Sequence, residues 1–222
     1  MKHTIGKDAM TMNFKGFLID FGYTLAYVDE EEDAKYRKGL VSVLKKHGYN
    51  RSLDELSPLL DSAYRNSTRG EMKSVFEFWK LFLKSMDISQ EPILIKELVE
   101  CRERYLGKTI KLYDNAIPIL SVLRRRYKLA LVSNCAIGLS DVIRKLGLNH
   151  FFECIILSCE VGVRKPDTRI YLEALQRLKL ESEECVFVAD EISDLEGARK
   201  VGLKTFLVKQ GPHTFHEAKD LD

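Results

Sequence analysis

The chain has 222 residues, and its 35 basic and 33 acidic side chains leave a net charge of +2. A nucleic-acid binder would carry a clearer basic excess, and a disordered chain would fall below this 45% apolar share. No apolar run approaches the roughly 18–20 residues of a membrane span, so the composition describes one medium globular domain, or one carrying an insertion.

In chain order, residues 1–13 read as a lead-in without the apolar stretch of a secretory signal. Phe14 to Asp20 is a short, mostly apolar run that stops at a carboxylate, the pattern of a buried strand. Residues 29–110 read almost wholly helical. The acidic run Asp29 to Asp33 suits a helix N-terminus, where backbone N–H groups favour negative charge. Leu40, Val41 and Leu44 supply that helix's apolar face, and Gly48 ends it. A second helix starts near Ser52, with Glu55 completing a capping box. A third carries Val75, Phe78, Trp79, Phe82 and Met86 at helical spacing, and a fourth runs from Pro92 to Tyr105.

From Leu112 onward strands alternate with helices. The helices are Ile117 to Tyr127, Ser140 to Leu146, Asp167 to Leu178 and Ser193 to Val201. The strands are Leu129 to Ser133, Cys154 to Ser158, Val186 to Asp190 and Thr205 to Val208. This alternation predicts an α/β fold with a doubly wound parallel sheet. The first strand joins that sheet, and the helical stretch is an insertion after it. Arg124-Arg125-Arg126 is a solvated cluster at a helix end.

Five cysteines, Cys101, Cys135, Cys154, Cys159 and Cys185, form no Cys-x-x-Cys pair and have no histidine cluster at zinc spacing. Cys154 and Cys185 lie in apolar runs and read as small hydrophobes. A reducing cytoplasm is the expected setting. His213 and His216 read as part of an exposed tail.

Ligands of doubly wound sheets bind beyond the C-terminal ends of the strands. There the sequence places Asp20, Ser133-Asn134, Lys165 in Val161-Gly162-Val163-Arg164-Lys165-Pro166-Asp167, and Asp190-Glu191 with Asp194. Asp20 can act as a carboxylate nucleophile that forms an acyl-phosphate. Asp190 can hold Mg²⁺ together with Asp20, because hard oxygen ligands suit that ion, and the metal would offset repulsion between two anions. The Ser133 hydroxyl and the Asn134 backbone N–H can bind phosphoryl oxygens, and Lys165 can neutralise charge on the transferring group. Ser193 and Glu196 form a capping box that puts Asp194 in a helix's first turn, where it can also steady metal-bound water.

With Asp20-x-x-x-Thr24-Leu25, Ser133-Asn134, the Lys165-Pro166 segment and Asp190-Glu191-x-x-Asp194 in this order, the chain resembles the haloacid dehalogenase-like hydrolase superfamily from Phe14 to Val208. The resemblance implies a Rossmann-like core with a helical cap inserted after the first motif. Core residues would then be 14–26 and 111–222, and cap residues 27–110. It implies Asp20 as nucleophile, Ser133 as phosphate ligand, Lys165 as the family lysine and Asp190 as a metal-binding acid. The Gly22 carbonyl becomes a further metal ligand, with Thr24, Glu191 and Asp194 in support. Family phosphatases read Asp-x-Asp-Gly-Thr, and their second Asp protonates the leaving oxygen. Here Gly22 holds that position and Tyr23 replaces the usual glycine. Losing a positioned acid costs about 10²–10⁴-fold in rate. Tyr23 can donate a proton but points elsewhere along the turn, and Gly22 can serve a backbone conformation that other residues avoid.

The expected function is a Mg²⁺-dependent phosphatase of a small phosphorylated metabolite, slowed by the missing acid, with no nucleic-acid or membrane partner. The alternatives are a 2-haloacid dehalogenase, whose halide leaves without a proton, and a non-catalytic phosphate-binding protein on the same fold. Tyr64, Trp79, Arg102 and Arg104 are the cap residues from which cleft contacts would come. No motif encodes the substrate or the oligomeric state.

Overall fold

A computed structural model describes residues 14–68, 70 and 72–210. The lead-in at 1–13 and His213 and His216 lie outside the described residues. Strands β1 (Gly16–Ile19), β4 (Lys128–Ser133), β5 (Cys154–Leu157), β6 (Cys185–Ala189) and β7 (Lys204–Leu207) form a parallel sheet in the order β5-β4-β1-β6-β7. Neighbouring residues on each strand are buried in opposite directions. Ile19, Leu129 and Leu131 face one side with Leu120 and Ile143, while Leu18, Ala130, Val132 and Phe187 face the other with Ile170 and Tyr171. Two buried faces explain why these strands read as continuous apolar runs.

The helices covering the sheet are α5 (Ala116–Leu123), α6 (Leu139–Lys145), α7 (Ser158–Val161), α8 (Thr168–Leu178) and α9 (Ile192–Arg199), in chain order after the four inserted helices. Helix α9 lies directly on the loop before α8. A Cβ added to Gly197 would come within 2.5 Å of the Pro166 carbonyl oxygen, so this close approach requires glycine.

Between β1 and β4 stand α1 (Glu30–Lys46), α2 (Leu53–Ser67), α3 (Val75–Ser85) and α4 (Pro92–Tyr105). Their starts follow local chemistry. Asp29 accepts from the Glu32 N–H at 2.9 Å, Ser52 and Glu55 make both bonds of a capping box, and Ser74 accepts from the Glu77 N–H. Leu40, Leu56, Phe78, Trp79, Phe82 and Leu98 bury into a core of their own. Arg37 ties α1 to α2 through Asp33 and Asp61, at 2.6 and 2.7 Å.

Several expectations change. Two short strands, β2 (Ala26–Val28) and β3 (Ile110–Leu112), pair antiparallel where the chain leaves and re-enters the core. This ladder straddles both expected domain boundaries. Helix α5 ends at Leu123, because residues 124–126 turn toward β4. Ser158 opens α7 instead of ending a strand. The capping box expected at Ser193 and Glu196 is absent. Helix α9 starts one residue earlier, at Ile192, with Glu191 as a cap that makes no side-chain bond. Asp194 is engaged elsewhere, as described next.

Candidate active site

Because the main strands are parallel, their C-terminal ends share one edge, and Asp20, Ser133 and Asp190 meet there. Asp20 follows β1 and is 6% exposed, its backbone N–H bonded to the Val188 carbonyl at 2.9 Å. The chain then folds tightly back into β2. The N–H groups of Leu25 and Ala26 donate to the Phe21 carbonyl at 2.9 and 3.0 Å. This turn brings the Thr24 hydroxyl to 3.4 Å from Asp20 Oδ2. Tyr23 is the residue in the left-handed region, at φ 51°. Gly22 has no positive φ of that kind, and a Cβ there would meet open space. Glycine at 22 is therefore not a backbone requirement.

Lys165 reaches Asp20 from the segment before α8. Its Nζ lies 2.6 Å from Asp20 Oδ1 and 2.7 Å from Asp194 Oδ2, with its side chain only 1% exposed. Burial opposes the ammonium charge, but the two carboxylates outweigh it and hold Lys165 above its ordinary range. Burial also pushes Asp194 up against the pull of Lys165. Asp194 thus sits in the helix's first turn as expected, but it pairs with the lysine. A buried ion cluster of this kind trades desolvation against charge pairing, and removing the lysine would leave two buried carboxylates uncompensated.

Asn134 organises the lysine. Its Nδ2 donates to the Lys165 carbonyl at 2.9 Å and its Oδ1 accepts from the Lys165 N–H at 2.7 Å. Ser133 is 3% exposed and, like Asn134, lines the cavity above Asp20.

Asp190 follows β6 at 9% exposure. Burial, and then repulsion from Asp20, push its carboxyl up to about 6. Glu191 lines the same cavity and adds to that repulsion. Among the described residues, no group of three or more His, Cys, Asp or Glu side chains is placed to hold a metal ion. Two carboxylates do fit Mg²⁺, which binds through one or two carboxylates and keeps several waters. A cation between Asp20 and Asp190 would offset the repulsion that raises Asp190, and the Gly22 carbonyl stands on the same turn as Asp20.

The cavity measures about 600 Å³ and lies between the strand ends and the inserted helices. Of the four cap candidates, Arg102 and Tyr64 line it. Trp79 is fully buried in the helical core and Arg104 is exposed, so neither reaches it. Arg102 Nη2 donates to the Gly138 carbonyl at 3.2 Å, and Nη1 to Glu103 at 2.9 Å. The Tyr36 and Tyr64 hydroxyls share a hydrogen bond of 2.7 Å. Tyr23, Tyr27, Tyr105 and Arg164 also line the cavity. Sequence reasoning weighs Tyr23 only as a proton donor aimed elsewhere and Arg164 only within the lysine segment; Tyr27 and Tyr105 sit on the short ladder and a helix end, where no periodic signal marks them.

A family model described as haloacid dehalogenase-like hydrolase matches residues 41–208. The glyceraldehyde 3-phosphate phosphatase of Methanopyrus kandleri is 32% identical over 145 residues, covering 64% of this chain and 62% of that protein. The chain therefore spans less than two thirds of that relative. The glyceraldehyde 3-phosphate phosphatase of Methanothermobacter thermautotrophicus is 26% identical over 189 residues, covering 82% of this chain and 84% of that protein. In three dimensions, a HAD phosphatase from Thermococcus onnurineus superposes with a TM-score of 0.65 at 26% identity, over 90% of this chain and 88% of that one. The matched segment 41–208 contains Ser133, Lys165 and Asp190, which the fold gathers beside Asp20. Sequence similarity and spatial placement thus agree, and the chain belongs to the haloacid dehalogenase-like hydrolase family.

Proposed function

We propose that the chain is a Mg²⁺-dependent phosphatase of small phosphorylated metabolites that works through an aspartyl-phosphate on Asp20. The observation that carries this reading is the buried contact of 2.6 Å between Asp20 and Lys165 at the floor of the cavity. The lysine aims Asp20 through this contact, and its charge faces the phosphoryl group as it transfers. Asp20 attacks phosphorus, the P–O bond to the leaving group breaks, and water then cleaves the acyl-phosphate. Ser133 and the Asn134 backbone N–H orient the phosphoryl oxygens. Asp20, Asp190 and the Gly22 carbonyl would hold Mg²⁺, which would supply positive charge that offsets repulsion between nucleophile and substrate.

The relatives are named for glyceraldehyde 3-phosphate, an alkyl ester. Gly22 offers no acid for such a leaving group, so this chain is better suited to aryl or acyl phosphates, whose leaving groups depart as anions. The test is phosphate release from glyceraldehyde 3-phosphate, an aryl phosphate and an acyl phosphate, with and without Mg²⁺, beside chloride release from a 2-haloacid. Phosphate release that requires Mg²⁺ and is lost in Asp190→Ala supports the proposal. Full activity in excess chelator, or halide release alone, would overturn it.

A further inference from the structure

We propose that Cys135 and Cys159 form a dithiol site that peroxides convert to a disulfide, and that this cross-link disables the adjoining phosphate-binding loop. The two sulfurs lie 3.4 Å apart. Strand pairing puts them there. Ser133 on β4 is in register with Leu157 on β5, and each cysteine sits two residues beyond its member of that pair. The Ser158 hydroxyl fastens the junction, accepting from the Cys135 N–H at 3.0 Å and lying 3.4 Å from its carbonyl.

Both thiols are buried, at 8% and 3% exposure; Cys135 lines the active-site cavity and Cys159 lies behind it with the sulfurs 3.4 Å apart, so a small oxidant reaches Cys159 past Cys135. Cys101, Cys154 and Cys185 lie in or against apolar cores and do not line that cavity. The hydrogen bond from Cys135 holds the Cys159 thiol below its usual range, while the same bond and burial push Cys135 up. Cys159 is thus the readier thiolate and Cys135 the proton donor.

The chemistry balances with hydrogen peroxide as oxidant. The Cys159 sulfur attacks one peroxide oxygen, the O–O bond breaks, and a sulfenic acid forms while the departing hydroxide takes up the Cys159 proton and leaves as water. The Cys135 sulfur then attacks the sulfenyl sulfur. The S–S bond forms, the S–O bond breaks, and the departing hydroxide leaves as water with the Cys135 proton. In sum, two thiols and one peroxide give one disulfide and two waters.

A disulfide bond measures about 2.05 Å, so closure draws the sulfurs together by more than an ångström. Ser133-Asn134 stands immediately before Cys135, and Asn134 is tied to Lys165 through their paired hydrogen bonds, so a shift of the Cys135 backbone reaches both. Misplacing reacting groups by about 1 Å can cost up to about 10²-fold in rate.

The test treats the full chain with hydrogen peroxide under native conditions. Intact mass and a peptide map read the cross-link, and turnover of its best phosphate ester reads the consequence. The expected result is a Cys135–Cys159 disulfide, a fall in activity of about tenfold or more, and recovery with dithiothreitol. Cys159→Ala should keep its untreated activity and lose the dithiothreitol-reversible inactivation. Absence of the cross-link in the wild-type map, or a cross-link that leaves activity unchanged, would overturn the proposal. The mass readout is independent of the phosphatase reading. Were no ester turned over, inorganic phosphate binding before and after oxidation would replace activity as the readout.

Discussion

Asn134 grips the backbone of Lys165 at both ends, donating to its carbonyl and accepting from its N–H. The contact joins the end of β4 to the segment before α8. It fixes the main chain from which the lysine reaches Asp20. Asn134→Ala should lower kcat by about 10²-fold while KM changes much less, because the lost element is positioning. It should also destabilise the fold by about 1–3 kcal/mol, since the Lys165 N–H loses its partner. Stopped assays and denaturant melts measure the two effects. A variant with wild-type kcat would mean that the lysine is held by its ion pairs alone.

Asp20→Asn should stay folded, because Lys165 keeps Asp194 as a partner at 2.7 Å. Its turnover should fall by more than about 10³-fold, as expected when a nucleophile is removed from a cooperating set. Circular dichroism checks the fold and phosphate release checks the rate. Wild-type turnover in this variant would exclude Asp20 as the nucleophile.

At Gly22, a Cβ meets open space, so an aspartate can be placed there without displacing a neighbour. Wild-type rates should rise steeply with leaving-group acidity. Gly22→Asp should raise alkyl-phosphate turnover by about 10²–10⁴-fold and aryl-phosphate turnover far less. A plot of rate against leaving-group pKa for both proteins provides the measurement. A flat wild-type line would show that another group delivers the proton, with Tyr23→Phe as the next variant.

Among the described residues of the inserted helices, Arg102 is a buried cation at the cavity, and its guanidinium packs so closely on Gly138 that a side chain at 138 would overlap it. Arg102→Ala should raise KM for the preferred phosphate by about tenfold or more, the scale of one lost charged hydrogen bond, with a smaller change in kcat. Arg102→Lys should recover little, because an ammonium lacks the planar fork. Steady-state kinetics on both variants decide this. An unchanged KM would assign Arg102 to holding the 138 loop alone.

Much of this site was legible because a strand buried on both faces is an uninterrupted apolar run, and the polar residue that ends it marks the ligand edge. Asp20, Ser133 and Asp190 each stand at such an end. The cavity's far wall carried no comparable mark. Trp79 and Tyr64 both belong to amphipathic helices, yet one fills the helical core and the other reaches the cavity, a difference set by tertiary packing. Strands β2 and β3 are three residues each and pair across the whole insertion, too short for a periodic signal. At Asp194 a local capping pattern competed with a distant lysine, and the buried charge prevailed.

The contact of Gly197 with Pro166 has a consequence for how the molecule can change. Backbone packs against backbone there, so α9, which carries Asp194, and the segment that carries Lys165 meet with no side chain from Gly197 between them. Tyr36, Tyr64 and Arg102 stand instead on the inserted helices, which meet the core at the β2–β3 ladder, where Arg102 bonds the Gly138 carbonyl, and where Gly70 packs on Gly162. On the proposed function, substitutions at Tyr36 or Tyr64 would reshape the far wall of the cavity while the contact of Lys165 with Asp20 and Asp194 stays in place, so a change of preferred substrate would not require a change at that contact.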